Sequence, residues 1–148
     1  MSERVYHEAF LALGRDDPDE LARQADAVLG GGNDNAQKVA VLRALFAIDR
    51  ARAPAYFLRA ITTLPDRSQP SGVSVPSFAL AYLCKRASDP GIRGTLEQVA
   101  MGTAAANVSA ELRRQAAKGL LVNASPAERT RYSYYPVFQD LVGGDAVQ

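Results

Sequence analysis

His7 and Cys84 are the only histidine and the only cysteine among 148 residues. A zinc site of ordinary type requires three or four converging His, Cys or carboxylate ligands, so one of each argues against one. A serine nucleophile needs an activating base and an orienting acid. His7 would have to serve as that base, but it stands between Tyr6 and Glu8 in an expected helix, and the chain has no G-x-S-x-G elbow. Cys84 falls in the apolar run FALAYLCKRA with no local base to draw off its proton, and reads as a small buried hydrophobe. The acidic group Asp16, Asp17, Asp19 and Glu20 lacks the glycine and closing glutamate of a calcium loop. It reads as a solvated helix start. Gly30-Gly31-Gly32 is not followed by the lysine and hydroxyl residue of a phosphate loop, and no strand precedes it. It reads as a helix stop and hinge. No catalytic set, metal or cofactor is expected.

What remains is binding chemistry. The basic residues are nearly all arginine, with Lys38, Lys85 and Lys118 the exceptions, and arginine presents a planar fork suited to carboxylates and phosphates. Arg113, Arg114, Arg129 and Arg131 cluster toward the C-terminus. Arg59 and Arg93 join their side if alternate helices line one face, which could then hold an acidic peptide or a nucleic-acid backbone. Net charge is only +1, so the strong general field of a nucleic-acid binder is absent. The stretch RYSYYPVFQD, Arg131 to Asp140, holds three of the six tyrosines. At helical spacing Tyr134, Val137, Phe138 and Leu141 share one side, expected to close the core. Arg131, Tyr132, Tyr135 and Gln139 share the other, expected to face a partner. Pro136 cannot donate to the carbonyl of Tyr132, so the helix should kink or restart there. The segment Pro65 to Ser74, PDRSQPSGVS, is the longest irregular stretch and a third candidate surface.

The elements that must carry these residues are helices, because apolar positions recur at spacings of three and four rather than alternating. Stop and start signals divide the chain into eight. They run from about Glu3 to Leu13 with a stop at Gly14, Asp17 to Gly30, Asp34 to Arg50, Pro54 to Leu64, Val75 to Ala87, Ile92 to Ala106, Ala110 to Asn123, and from the capping box Ser125-Pro126-Ala127-Glu128 onward. Helices three, five and seven start at intervals of about 35 to 40 residues, the range of helical-hairpin repeats. One domain over 1–142 with a fraying tail over 143–148 is expected. No secretory signal and no apolar run of membrane-spanning length is visible, which makes a cytoplasmic protein the expectation.

The stretches SDPGIRGTLEQVA and NVSAELRRQAAKGLL resemble HEAT and armadillo repeats, through Asp89, Pro90, Ile92 and Arg93 in the first and Asn107, Leu112, Arg113, Ala116, Ala117 and Leu120 in the second. They lie about twenty residues apart, as adjacent helices rather than equivalent positions of successive repeats. The resemblance implies an all-α, right-handed solenoid-like stack of about four helical hairpins that presents surfaces to a partner and performs no chemistry. The expected function is binding of another protein as adaptor, scaffold or inhibitor. The partner-facing residues are Arg59, Arg93, Arg129, Arg131, Tyr132 and Tyr135, and self-association through the ends of the stack is a further expectation. Nucleic-acid binding through an arginine-bearing concave face is the second reading.

Overall fold

A computed structural model describes residues 2–66, 74–102 and 108–147, with backbone alone for 142–147. The described residues are helical and contain no strand: α1 Glu3–Asp16, α2 Pro18–Gly30, α3 Asn35–Ile48, α4 Ala53–Thr63, α5 Val75–Cys84, α6 Pro90–Ala100, α7 Ala110–Val122, α8 Pro126–Tyr132 and α9 Pro136–Val147. Side-chain caps start most of them. Asp17 accepts from the Glu20 amide, Asp34 from Gln37, Asp89 from Gly91 and Ile92, and Ser109 from Leu112. Ser125 and Glu128 form the full reciprocal capping box that their spacing predicts. No described helix is long and apolar enough to cross a membrane.

The chain divides into two compact units, residues 1–79 and 80–148, with the boundary within α5. In the first, α3 is the centre. Ala40, Val41, Leu42, Ala44, Leu45 and Phe46 are all buried, leaving only Arg43 exposed between them. A helix apolar on nearly every side must be surrounded, and α1, α2 and α4 all pack on it. Phe46 meets Phe57 of α4 edge to face, with centroids 5.8 Å apart. Side chains also join α2 to α4. Arg52 pairs with Asp19 at 2.6 Å, Arg59 with Asp26 at 2.8 Å, and the Tyr56 hydroxyl donates to the Ala22 carbonyl at 3.3 Å.

Gly14 corrects the expected stop. The helix runs through it to Asp16, because this glycine is a notch for packing and not a break. A Cβ there would lie 2.6 Å from Leu21 Cδ2 and 3.1 Å from Ile48 Cγ1, and Leu21 is fully buried with no room to retreat. Helix propensity alone favours Gly14→Ala by about 1 kcal/mol. Overpacking costs about 1 to 3 kcal/mol, so the expected net result is a lower midpoint in urea denaturation.

In the second unit α6 and α9 pack on α7. Two ion pairs join α6 to α8, Arg93 with Glu128 and Arg131 with Glu97. The expected eighth helix is in fact two, since Pro136 starts α9 after a turn over Ser133–Tyr135. Residues 143–147, expected to fray, are helical in backbone. The expected end of the sixth helix at 103–106, the resemblance residue Asn107 and most of the Pro65 to Ser74 candidate surface, 67–73, lie outside the described residues.

The prolines at the starts of α2, α4, α6 and α8 are Pro18, Pro54, Pro90 and Pro126, a constant interval of 36 residues. The helix-to-helix bonds span matching distances along the chain, 33 and 34 residues for the α2–α4 contacts and 34 and 35 for α6–α8.

Candidate partner-binding surface

Tyr132 reverses its expected role. It is 0% exposed, stacked on Phe138 with ring centroids 4.4 Å apart and planes within 9°. Tyr134, expected in the core, is 77% exposed, while Tyr135 is 38% exposed. The cause is the break before Pro136. The Tyr134 amide donates to Arg131, Tyr135 to Tyr132 and Phe138 to Tyr135, so the chain tightens to three residues per turn. A continuous 3.6-residue phase carried through the proline puts the wrong tyrosine inside.

The arginines are also redirected. The last carbonyls of a helix have no partner within it, and two guanidinium groups serve those of α7. Arg93 Nη2 donates to Leu120 O at 3.0 Å, and Arg129 Nη2 to Leu121 O at 2.9 Å. Positive charge there also suits the negative end of the helix dipole. Arg93 donates in addition to Ala87 O at 2.8 Å, to Glu128 Oε2 at 2.9 Å and to the Tyr132 hydroxyl at 3.4 Å, with its side chain only 12% exposed. Arg131 is held by Glu97, and Arg59, in the other unit, by Asp26. Arg93 and Arg129, expected to face a partner, thus close the end of α7.

Of the six expected residues, two line clefts in the second unit: Arg129 one of about 350 Å³ with Lys118, Leu121, Val122 and Leu141, and Tyr135 another. Tyr135 borders a recess of about 230 Å³ with Ala100, Met101, Arg113, Pro136 and Val137. A larger cleft of about 520 Å³ shares Arg113, Pro136 and Val137 and adds Val108, Ala110, Arg114 and Asp140. It is formed by the first turns of α7 and α9. Gly102 sets one edge. Its φ of +72° is the left-handed conformation that glycine adopts freely, and a Cβ there would lie 2.9 Å from Arg113 Nη1. That room lets the Arg113 guanidinium lie over the end of α6. Arg114 and Asp140 are exposed on the two helices of the cleft. Arg59 lines a separate depression of about 310 Å³ with Asp26, Ala55 and Tyr56 in the first unit. The pairing of α7 with α9 depends on the turn before Pro136, and this is why Val137 was assigned to the core and Asp140 was not singled out from sequence.

The other residues of chemical interest have packing or capping duties. Asp17 caps α2, Asp19 pairs with Arg52, and Glu20 accepts from Arg23 and Gln24. Among the described residues no three His, Cys, Asp or Glu side chains converge as metal ligands. Cys84 lies against α7 at Gly119, where a Cβ would sit 2.5 Å from its sulfur, and its thiol contacts Gln115 O at 3.8 Å. Burial pushes the thiol up to about 11. The neutral thiol is a poor nucleophile, so alkylation by iodoacetamide at pH 8 is expected to be slow in the native protein and to accelerate to the rate of a free cysteine in denaturant.

In comparisons with known proteins, no family model matches the chain, no curated protein matches its sequence, and no solved structure matches its fold.

Proposed function

We propose that the protein is a non-catalytic helical-hairpin repeat of the HEAT-like class that binds another protein through the α7/α9 cleft. The observation that carries this reading is the cleft itself. A proline and two valines line it with charged residues at its sides, and Tyr135 borders the adjoining recess that shares Arg113, Pro136 and Val137, the mixture of rigid aromatic, apolar floor and polar surround that characterises protein-recognition sites. The constant proline interval and the α2–α4 and α6–α8 bonds at repeat-length separations support the repeat reading. Arg59, Arg93, Arg129 and Arg131 are each engaged with an acid or a helix end, which weighs against a free basic face for nucleic acid.

Photo-crosslinking separates the two readings. A benzophenone amino acid at position 135, introduced into the full chain and irradiated in host extract, should give a discrete protein adduct resistant to nuclease. The same probe at exposed Ala27 on α2 should not. Adducts at position 135 that disappear with nuclease, or none above the Ala27 background, would overturn the proposal.

A further inference from the structure

We infer that the α7/α9 cleft takes an acidic, aliphatic peptide segment of the partner. The inference rests on the protein-binding reading above and names the chemistry of what is bound.

The charge on the cleft is asymmetric. Arg113 and Arg114 come from α7, whereas α9 contributes Asp140 and the apolar Pro136 and Val137. Arg113 is placed over Gly102 and helps set the local potential. Arg114, exposed one residue further along α7, is the group a ligand can reach. A carboxylate matches a guanidinium in shape and charge, with two parallel N–H donors available to it. Most of the remaining lining is hydrocarbon from Val108, Ala110, Pro136 and Val137. Burying an aliphatic side chain there contributes about 25 cal/mol for each Å² removed from water, so the fitting ligand carries a carboxylate beside an apolar group.

Asp140 decides between an acidic peptide and a nucleic acid. A phosphodiester backbone carries a negative charge at every step and no branched hydrocarbon side chain, and in this cleft it would set one phosphate toward Asp140 while leaving the valines poorly covered. A peptide places its glutamate or aspartate by Arg114 and a neutral backbone amide by Asp140, satisfying both walls. The cleft volume of about 520 Å³ lies within the range of small sites, room for a few side chains of an extended segment.

The test is an amide-shift titration of the ¹⁵N-labelled full chain with three probes. One is a set of capped hexapeptides combining two glutamates with Leu, Ile, Val or Phe, the second the same set with lysine for glutamate, and the third a single-stranded oligothymidylate. The expected result is that glutamate peptides shift the amides of Ala110, Arg114, Val137 and Asp140, and that the other two probes do not. Arg114→Glu, a change at an exposed position, should weaken the glutamate peptides about tenfold or more, on the order of 1.4 kcal/mol, and admit the lysine peptides instead. The inference is overturned if no glutamate peptide moves those amides, if the oligothymidylate moves them more, or if Arg114→Glu leaves the titration unchanged. A protein crosslink from position 135 that survives Arg114→Glu would remove the acidic-ligand inference while leaving the protein-binding reading in place.

Discussion

Tyr132→Ala is expected to destabilise the second unit by about 3 to 5 kcal/mol, the cost of removing a large, fully buried aromatic. The ring is the largest wholly buried side chain in the described residues and stacks on Phe138 of α9. Without it α8 and α9 lose their shared contact, and the hydroxyl no longer accepts from Arg93. Tyr132→Phe isolates the two contributions. It keeps the stack and removes two hydrogen bonds of 3.4 Å, one accepted from Arg93 and one donated to Glu128 Oε2, so it should cost about 1 to 2 kcal/mol. Tyr135→Ala, at a partly exposed position, should change stability by about 0.5 kcal/mol or less. Urea denaturation followed by the circular dichroism of all three variants checks the order. A loss in Tyr132→Ala no larger than that in Tyr135→Ala would contradict the burial. It follows that a double substitution of Tyr132 and Tyr135 is a poor probe of binding, because one member unfolds the surface that the other presents.

The helices were legible because their signals are local. Caps such as Asp17, Asp34, Ser109 and Ser125 act within three residues, and proline at the first turn is read directly from the chain. The paired α6–α8 contacts were not legible, because nothing local distinguishes an arginine that reaches 27 residues to Leu120 O from one that faces water. Helical phase failed at Tyr132 and Tyr134 for a related reason. One tight turn before Pro136 resets the phase, and an error of one residue moves a side chain by about 100°. Gly14 read as a stop because glycine weakens helices, and only the position of Leu21 and Ile48 shows that its missing side chain is filled by neighbours. One signal of long range was present in the sequence. Pro18, Pro54, Pro90 and Pro126 recur at a fixed interval of 36 residues, which marks four helix starts without saying which helices touch.

Arg93→Ala is expected to be the next most damaging of these changes. The guanidinium is nearly enclosed and binds two carbonyls, a carboxylate and a hydroxyl drawn from the α5–α6 turn, α7 and α8. Removing it leaves a helix-end carbonyl, a turn carbonyl and a partly exposed carboxylate without this donor, at a cost of about 2 to 3 kcal/mol. Arg93→Lys keeps the charge but offers a point donor in place of a planar fork, and should recover only part of the loss. The pH dependence gives a signature that a simple packing defect lacks. The Glu128 carboxyl is held below its ordinary value of 4.5 first by the Ser125 amide and then by Arg93. A carboxyl whose value is depressed by folding contributes stability that is fully present above the ordinary value and is lost as pH falls through the folded one. Wild-type stability should therefore decline below about pH 4.5, and the decline should be shallower in Arg93→Met, which fills space without charge, though not abolished, because the Ser125 amide remains. Equal slopes of stability against pH in wild type and Arg93→Met would show that the guanidinium does not set the carboxyl. Charge reversal at Arg93 is for the same reason no test of ligand binding: a glutamate there would face Glu128 and the Leu120 carbonyl, and the variant should fail to fold before any partner is met.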